Sequence, residues 1–100
     1  MEYLKVKWIH DIPHDPVLLL SELDSDRYEV RKVEVYADGH IGFASELESR
    51  HGAMLGEKPI PSSHEIAADH QFSIQPTDAL EFEKAWEAAK RGERWPESMD

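Results

Sequence analysis

The chain has 100 residues, of which 40% are hydrophobic and 32% charged, and its net charge is −10 at pH 7. This size and hydrophobic content predict one folded domain with one core, while the acidic surplus disfavours nucleic acid as a partner because phosphates repel it. The absence of cysteine excludes disulfides and cysteine chemistry, and no apolar run approaches the roughly 20 residues of a membrane span.

The first two predicted elements are β-strands. Residues 3–10 (YLKVKWIH) alternate, with Leu4, Val6 and Trp8 on one face and lysines between them, which indicates a half-buried strand. Two prolines then interrupt regular structure. Residues 17–23 (VLLLSEL) are apolar without alternation, which favours a strand that is either central in the sheet or covered on both faces.

A third strand and a hairpin follow. Residues 27–36 (RYEVRKVEVY) need a bulge at Arg31-Lys32 to bring all their apolar positions to one face, namely Tyr28, Val30, Val33 and Val35. A three-residue loop with Gly39 left-handed then pairs Val33 with Phe43 of the fourth strand (IGFAS), whereas a two-residue loop would place Phe43 opposite Glu34. The burial pattern favours the three-residue loop.

The second half begins with a long polar segment. Residues 46–61 contain Gly, Pro and charged residues and predict a long loop. Ser62 or Ser63 is placed to cap a short helix at 64–69 (HEIAAD), and residues 72–75 (FSIQ) form a weak strand.

The strongest helix prediction covers residues 76–92 (PTDALEFEKAWEAAKRG). Thr77 or Asp78 caps it, and Glu81 is spaced to close a capping box from Asp78. Apolar residues recur every three or four positions, namely Ala79, Phe82, Ala85, Trp86 and Ala89. Gly92 is expected to end the helix.

These elements predict an α+β fold. An antiparallel meander sheet of at least four strands packs against the C-terminal amphipathic helix, with one short additional helix. The domain is predicted to span residues 1–92, and residues 93–100 a frayed tail. Within that tail, Trp95 either folds back onto the domain or anchors a partner.

Two histidines and two carboxylates, His10, Asp11, His14 and Asp15, are the only candidates for a metal site. The two histidines would share one face only of a helix, and the prolines among them make a helix unfavourable. We therefore predict a strand end and a proline-shaped turn, with no metal and no cofactor.

Catalytic motifs are not found. The histidines of HEIAADH, residues 64–70, are six apart and cannot share an ion from one helix face, and no serine stands in a GxSxG motif. No catalytic residue is assigned, although an enzyme built from distant residues stays open.

The segments SELDSDRYEVRKVEVYADG and LGEKPIP carry a resemblance to a family of small bacterial domains of unknown function. The resemblance covers about residues 2–90 and implies a compact α+β domain without an established reaction or ligand. Position 14 departs from it, because an acidic residue is more common there than His14. Positions shared with the family suit cross-strand ion pairing, namely Ser21, Glu22, Arg27, Glu29, Arg31 and Lys32.

Function is predicted from charge. The leading hypothesis is a cytoplasmic, non-enzymatic module that binds a basic protein through electrostatic steering and binds neither nucleic acid nor membrane. Its most concrete version is a toxin-neutralising (immunity-type) protein. Its candidate binding residues are acidic, namely Glu22, Asp24, Asp26, Glu29, Glu46 and Glu48. The alternative is a small ligand-binding or enzymatic domain with a site near His10, Glu22, Arg27 and Glu29.

Overall fold

The computed structural model describes residues 1–95 as six strands and two helices. In chain order they are β1 (Glu2–Trp8), β2 (Pro16–Leu23), β3 (Glu29–Tyr36), β4 (Ile41–Ser45), β5 (Ser49–Arg50), α1 (Ser63–Ala67), β6 (Phe72–Gln75) and α2 (Ala79–Lys90). The two-residue strand β5 lies inside the segment predicted as loop.

The strands form one antiparallel sheet in the order β5-β4-β3-β2-β1-β6. The first five strands are a meander, and β6 returns to pair with β1 at the opposite edge. The α+β class is thereby confirmed, with two more strands than the minimum predicted. We call the sheet face that α2 covers the helix face, and the opposite face, on which α1 and residues 51–61 lie, the loop face.

The main core lies between α2 and the helix face. Phe82 and Trp86 pack from the helix onto Leu20, Val33 and Phe43, as the spacing of apolar positions along α2 predicts. Phe82 is 1% exposed, and Phe43 meets Trp86 edge-on at 5.3 Å between ring centroids. The amphipathic C-terminal helix therefore closes the larger core.

A smaller core lies on the loop face. Leu4, Val6 and Leu23 are buried there, and four half-buried residues pack against them, namely Ile60, Ile66, Phe72 and Ile74. Because side chains alternate along a strand, β1 and β2 supply apolar residues to both faces of the sheet. The sheet is thus covered on two sides, although each face is covered only in part.

The bulge in β3 lies one position before the predicted one. Glu22 pairs with Arg31 and Leu23 pairs with Glu29, so Val30 has no partner on β2. Tyr28 precedes β3 and is 43% exposed, so it does not join the core as predicted. The prediction of Arg31-Lys32 was wrong because apolar alternation shows that a shift is needed but not which residue leaves the ladder.

The hairpin between β3 and β4 has the predicted three-residue loop. Val33 pairs with Phe43, and Gly39 has a φ of 92°, which glycine adopts without steric strain. The Gly39 carbonyl also accepts a hydrogen bond from the Trp95 backbone N–H at 2.8 Å.

The ends of α2 follow the sequence signals. Asp78 caps it by accepting a hydrogen bond from the Glu81 N–H, and Gly92, with a φ of 72°, follows its last turn. Of the predicted tail 93–100, residues 96–100 lie outside the described residues. Trp95 is 9% exposed and belongs to the main core, so the described part folds back onto the domain. Within residues 1–95, no helix has the length and apolar character needed to cross a membrane.

Candidate functional site

A pocket of about 390 Å³ opens on the loop face, between the sheet and α1. Its size lies within the range of small-ligand sites. Most of its lining is apolar, and polar side chains lie at two sides. This pocket combines an apolar interior with charged groups, and we therefore take it as the candidate binding site.

The apolar interior follows from strand alternation. Leu4 and Val6 of β1 and Leu19 of β2 point to the same face because they occupy alternate positions in register. Ile66 of α1 and Phe72 of β6 close the far side. These groups can bury the hydrocarbon part of a ligand or of a partner's side chain.

One side of the pocket carries two carboxylates without a cation. Glu65 and Asp69 both line it and both are exposed. Glu65 accepts a hydrogen bond from the Ser62 hydroxyl and Asp69 accepts one from the Gln71 N–H. Neither forms an ion pair within residues 1–95, so both charges remain available to a cationic group.

The other side is a saturated ionic cluster. Glu29 is buried and accepts hydrogen bonds from the Ser21 hydroxyl at 3.1 Å and from the Gly56 N–H at 2.7 Å. Lys32 Nζ lies 3.1 Å from the same carboxylate and donates to the Met54 carbonyl. The hydrogen bonds to Met54 and Gly56 fasten residues 54–56 to the sheet. They also give Glu29 and Lys32 the partners that charged groups removed from solvent require.

Glu34, next to this cluster, gives a test of its electrostatics. Burial raises the pKa of the Glu34 carboxyl above 4.5, although Lys32 opposes this. A raised pKa in the folded state favours the protonated carboxyl. Glu34 therefore contributes folding stability that is fully present below pH 4.5 and is lost as the pH rises through the folded-state pKa. Glu34→Gln is expected to raise the melting temperature slightly at pH 7. The gain in melting temperature should shrink at pH 4. A lower melting temperature of the variant at pH 7 would contradict the prediction.

The predicted acidic binding residues do not form one surface. Glu22 is buried on the helix face beside Arg31, and Glu29 is buried on the loop face.

The remaining four predicted acidic residues lie in turns at the ends of the sheet. Asp24 accepts from two backbone N–H groups of its own turn and Asp26 is exposed. Glu46 is exposed, and Glu48 pairs with Lys90.

The alternative site is not assembled either. Glu22 and Glu29 point to opposite faces, while Arg27 binds Glu2 and the backbone carbonyls of Ile60 and Pro61. His10 follows the end of β1 that lies farthest from the Glu2–Leu23 pair. These four residues therefore do not share a pocket.

The histidine-rich turn has its own hydrogen bonds. His10 Nδ1 accepts from the Ile12 N–H at 2.9 Å, which leaves the proton on Nε2 to be donated to the Pro16 carbonyl at 2.8 Å. Both ring nitrogens are therefore engaged. In the part of the chain that the structure describes, no group of three or more side chains is placed to hold a metal ion.

Only a weak sequence signal points to the pocket. Ile60 lies between two prolines, and Ile66 is the one large apolar residue of a short helix. Glu65 and Asp69 are four positions apart, which would bring them to neighbouring positions along a helix. The contacts that bring these residues together with β1 and β2 join parts of the chain that are far apart in the sequence.

Comparison with known proteins gives a family and nothing further. A family model described as a domain of unknown function (DUF6881) matches residues 2–91, which confirms the resemblance seen in the sequence. No curated protein and no solved structure matches the chain.

Proposed function

The chain belongs to the family of the domain of unknown function DUF6881, and from that premise we propose that it is a non-enzymatic module that binds a basic protein. The observation that carries the proposal is the apolar pocket with the unpaired carboxylates of Glu65 and Asp69 at its side. In its most specific form the module neutralises a basic toxin. We propose the cytoplasm as its location, since a chain without cysteine gains nothing from an oxidising compartment.

A lysine or arginine side chain fits this pocket chemically. Both have a long hydrocarbon stem below a charged head. The stem would lie on Ile66 and Phe72, and the head would lie between Glu65 and Asp69. Lys32 does not compete for these carboxylates, because it is held by Glu29 and the Met54 carbonyl.

Charge outside the pocket supports the same partner. The net charge of −10 attracts a basic protein over a distance set by salt, about 8 Å at physiological ionic strength. Asp26 and Glu46 are exposed and without an ion pair in residues 1–95, so they add to this field. Glu22 and Glu29 add less, since cations inside the domain offset their charges.

The pocket can be tested with n-butylammonium, which carries the lysine head on a four-carbon stem. In an amide NMR titration of the full chain, we expect saturable shifts at Ile66 and Phe72 with a dissociation constant of about 1–10 mM, as suits so small a ligand. Glu65→Gln combined with Asp69→Asn should weaken binding about tenfold. Both substitutions keep the hydrogen-bond acceptor of the original side chain.

Glu87→Gln is the matched control, because Glu87 is an exposed carboxylate on α2. It should leave the dissociation constant within about twofold, since the sheet separates α2 from the pocket and salt screens exposed charges that lie farther apart than the screening length. Equal binding of n-butanol, or equal weakening by the control, would refute the proposed pocket.

The natural partner is identified by affinity capture from the source organism and is then tested by stopped-flow binding. The association rate should fall steeply with salt while the dissociation rate changes less, because long-range attraction acts mainly on encounter. A captured protein whose association rate is insensitive to salt and to the Glu65 and Asp69 substitutions would contradict the proposal.

A further inference from the structure

The helix face of the sheet is not covered along its whole width. α2 packs on β2, β3 and β4 and reaches Tyr3 and Lys5 of β1 through Phe82 and Glu81, which leaves the helix face open at Lys7 and at β6. A pocket of about 400 Å³ is found at this open end. It is separated from the candidate binding site by the sheet itself, since the two pockets are lined from opposite faces.

The strand register brings polar groups and apolar groups together in this pocket. Lys7 lies between Leu18 of β2 and Ser73 of β6, and Lys5 lies next to Gln75 of β6. All five side chains therefore share the helix face. Ile9 and Val17 complete the lining, which contains two lysines and no carboxylate. In a chain with a net charge of −10, such a lining is unusual.

The Lys5 ammonium group has unused hydrogen-bonding capacity. Its side chain is only 10% exposed, and its one acceptor within residues 1–95 is Glu81 Oε2 at 2.9 Å. An ammonium group has three donors, and buried donors are almost always satisfied. Two donors of Lys5 thus have no acceptor among residues 1–95 and can be shared with a ligand in the pocket.

Lys7 supplies the charge that a ligand would balance. It lines the same pocket, is exposed, and forms no ion pair within the described residues. The charge of Lys5 is already offset by Glu81, whereas that of Lys7 is not. A group with a single negative charge, placed between the two lysines, would accept hydrogen bonds from Lys5 and neutralise the charge of Lys7.

We propose that this pocket binds a small organic anion, specifically a carboxylate with a short apolar body. The carboxylate accepts hydrogen bonds from Lys5 and Lys7, and Gln75, whose amide donates to Ser73 at 2.9 Å, bounds the polar end. The apolar body lies against Ile9, Val17 and Leu18. This site does not depend on the proposed capture of a basic protein.

The test is an amide NMR titration of the full chain with butyrate at low ionic strength. We expect saturable shifts at Lys7, Val17 and Ser73, with a dissociation constant of about 1–10 mM, and none at Ile66 or Phe72. Lys7→Gln should raise the dissociation constant about tenfold, as loss of a charge-assisted hydrogen bond does. Butyramide, the neutral analogue, should give no saturable shift.

Lys84→Gln is the control, because Lys84 is exposed on α2 and does not line the pocket. It should leave butyrate binding within about twofold, since its charge is screened by solvent. Three results would each overturn the site: no saturable shift with butyrate, equal binding of butyramide, or unchanged binding by Lys7→Gln. Because n-butylammonium and butyrate report on opposite faces, failure of one proposal is distinguishable from failure of the other.

Discussion

Phe82→Ala is expected to lower the free energy of unfolding by about 3–5 kcal/mol. Phe82 is 1% exposed, lies 5.5 Å from the Tyr3 ring between centroids, and packs in the main core. Removing a fully buried aromatic ring loses its transfer energy and leaves a cavity that the neighbours fill only in part. Urea unfolding followed by circular dichroism measures the difference.

Leu80→Ala is the matched control for Phe82→Ala. Leu80 is on the same helix but is 65% exposed, so its truncation should cost less than about 0.5 kcal/mol. Trp86→Ala should resemble Phe82→Ala, since Trp86 is also buried in the main core. Losses near zero for both aromatic variants would mean that α2 does not dock on the sheet.

Arg31→Met should cost about 3–5 kcal/mol at pH 7. Arg31 donates two hydrogen bonds to Glu22, at 2.7 and 2.9 Å, and lies over the rings of Phe82 and Trp86. Methionine keeps an unbranched stem against these rings but leaves Glu22 as a buried carboxylate without its cation, which is strongly destabilising. The Tyr3 hydroxyl would remain as a donor to Glu22.

This cost should depend on pH. Hydrogen bonding from Arg31 lowers the pKa of Glu22 below 4.5 in the folded protein. The pair therefore contributes stability above pH 4.5 that is lost as pH falls through the folded pKa. In Arg31→Met, burial favours the protonated carboxyl instead, so the difference from the parent protein should shrink between pH 7 and pH 4.

Arg31→Met combined with Glu22→Gln separates the ion pair from packing. The double variant removes the buried unpaired charge, although Glu83, whose side chain is 44% exposed, also loses its ion pair with Arg31. It should recover a large part of the loss, because two neutral side chains need not be desolvated as ions. Equal stability of the single and double variants at pH 7, or a difference that grows on acidification, would contradict the assigned role of the pair.

Local signals in the sequence predicted the elements well. The Asp78 cap, the end of α2 shortly before Gly92 and the left-handed Gly39 each depend on a few neighbouring residues, whose hydrogen bonds and backbone preferences act over short range. Alternation along β1 likewise predicted that Leu4 and Val6 share one buried face, and the unbroken apolar run of β2 predicted the inner position that this strand has in the sheet.

The candidate site was less predictable, because it depends on contacts between distant residues. Glu22 and Glu29 are both acidic residues of the β2–β3 region, yet they are buried, on opposite faces of the sheet, each beside a cation. Composition predicts that acidic residues are exposed, and only the pairing register shows where they lie. For the same reason the prediction placed the bulge at Arg31-Lys32 and not at Val30, since a bulge is defined by the residues that pair with it on the neighbouring strand, here β2.

That bulge has a consequence for chain length. With Val30 unpaired, Arg31 points to the helix face and Glu29 to the loop face. Removal of Val30 would leave these two residues adjacent, and adjacent residues of a regular strand already point to opposite faces. A chain one residue shorter here would therefore keep every pairing of β3, the Glu22–Arg31 pair and the anchoring of Gly56 by Glu29. Between Tyr28 and Arg31, the fold accommodates a deletion that elsewhere in β3 would reverse the faces of one part of the strand.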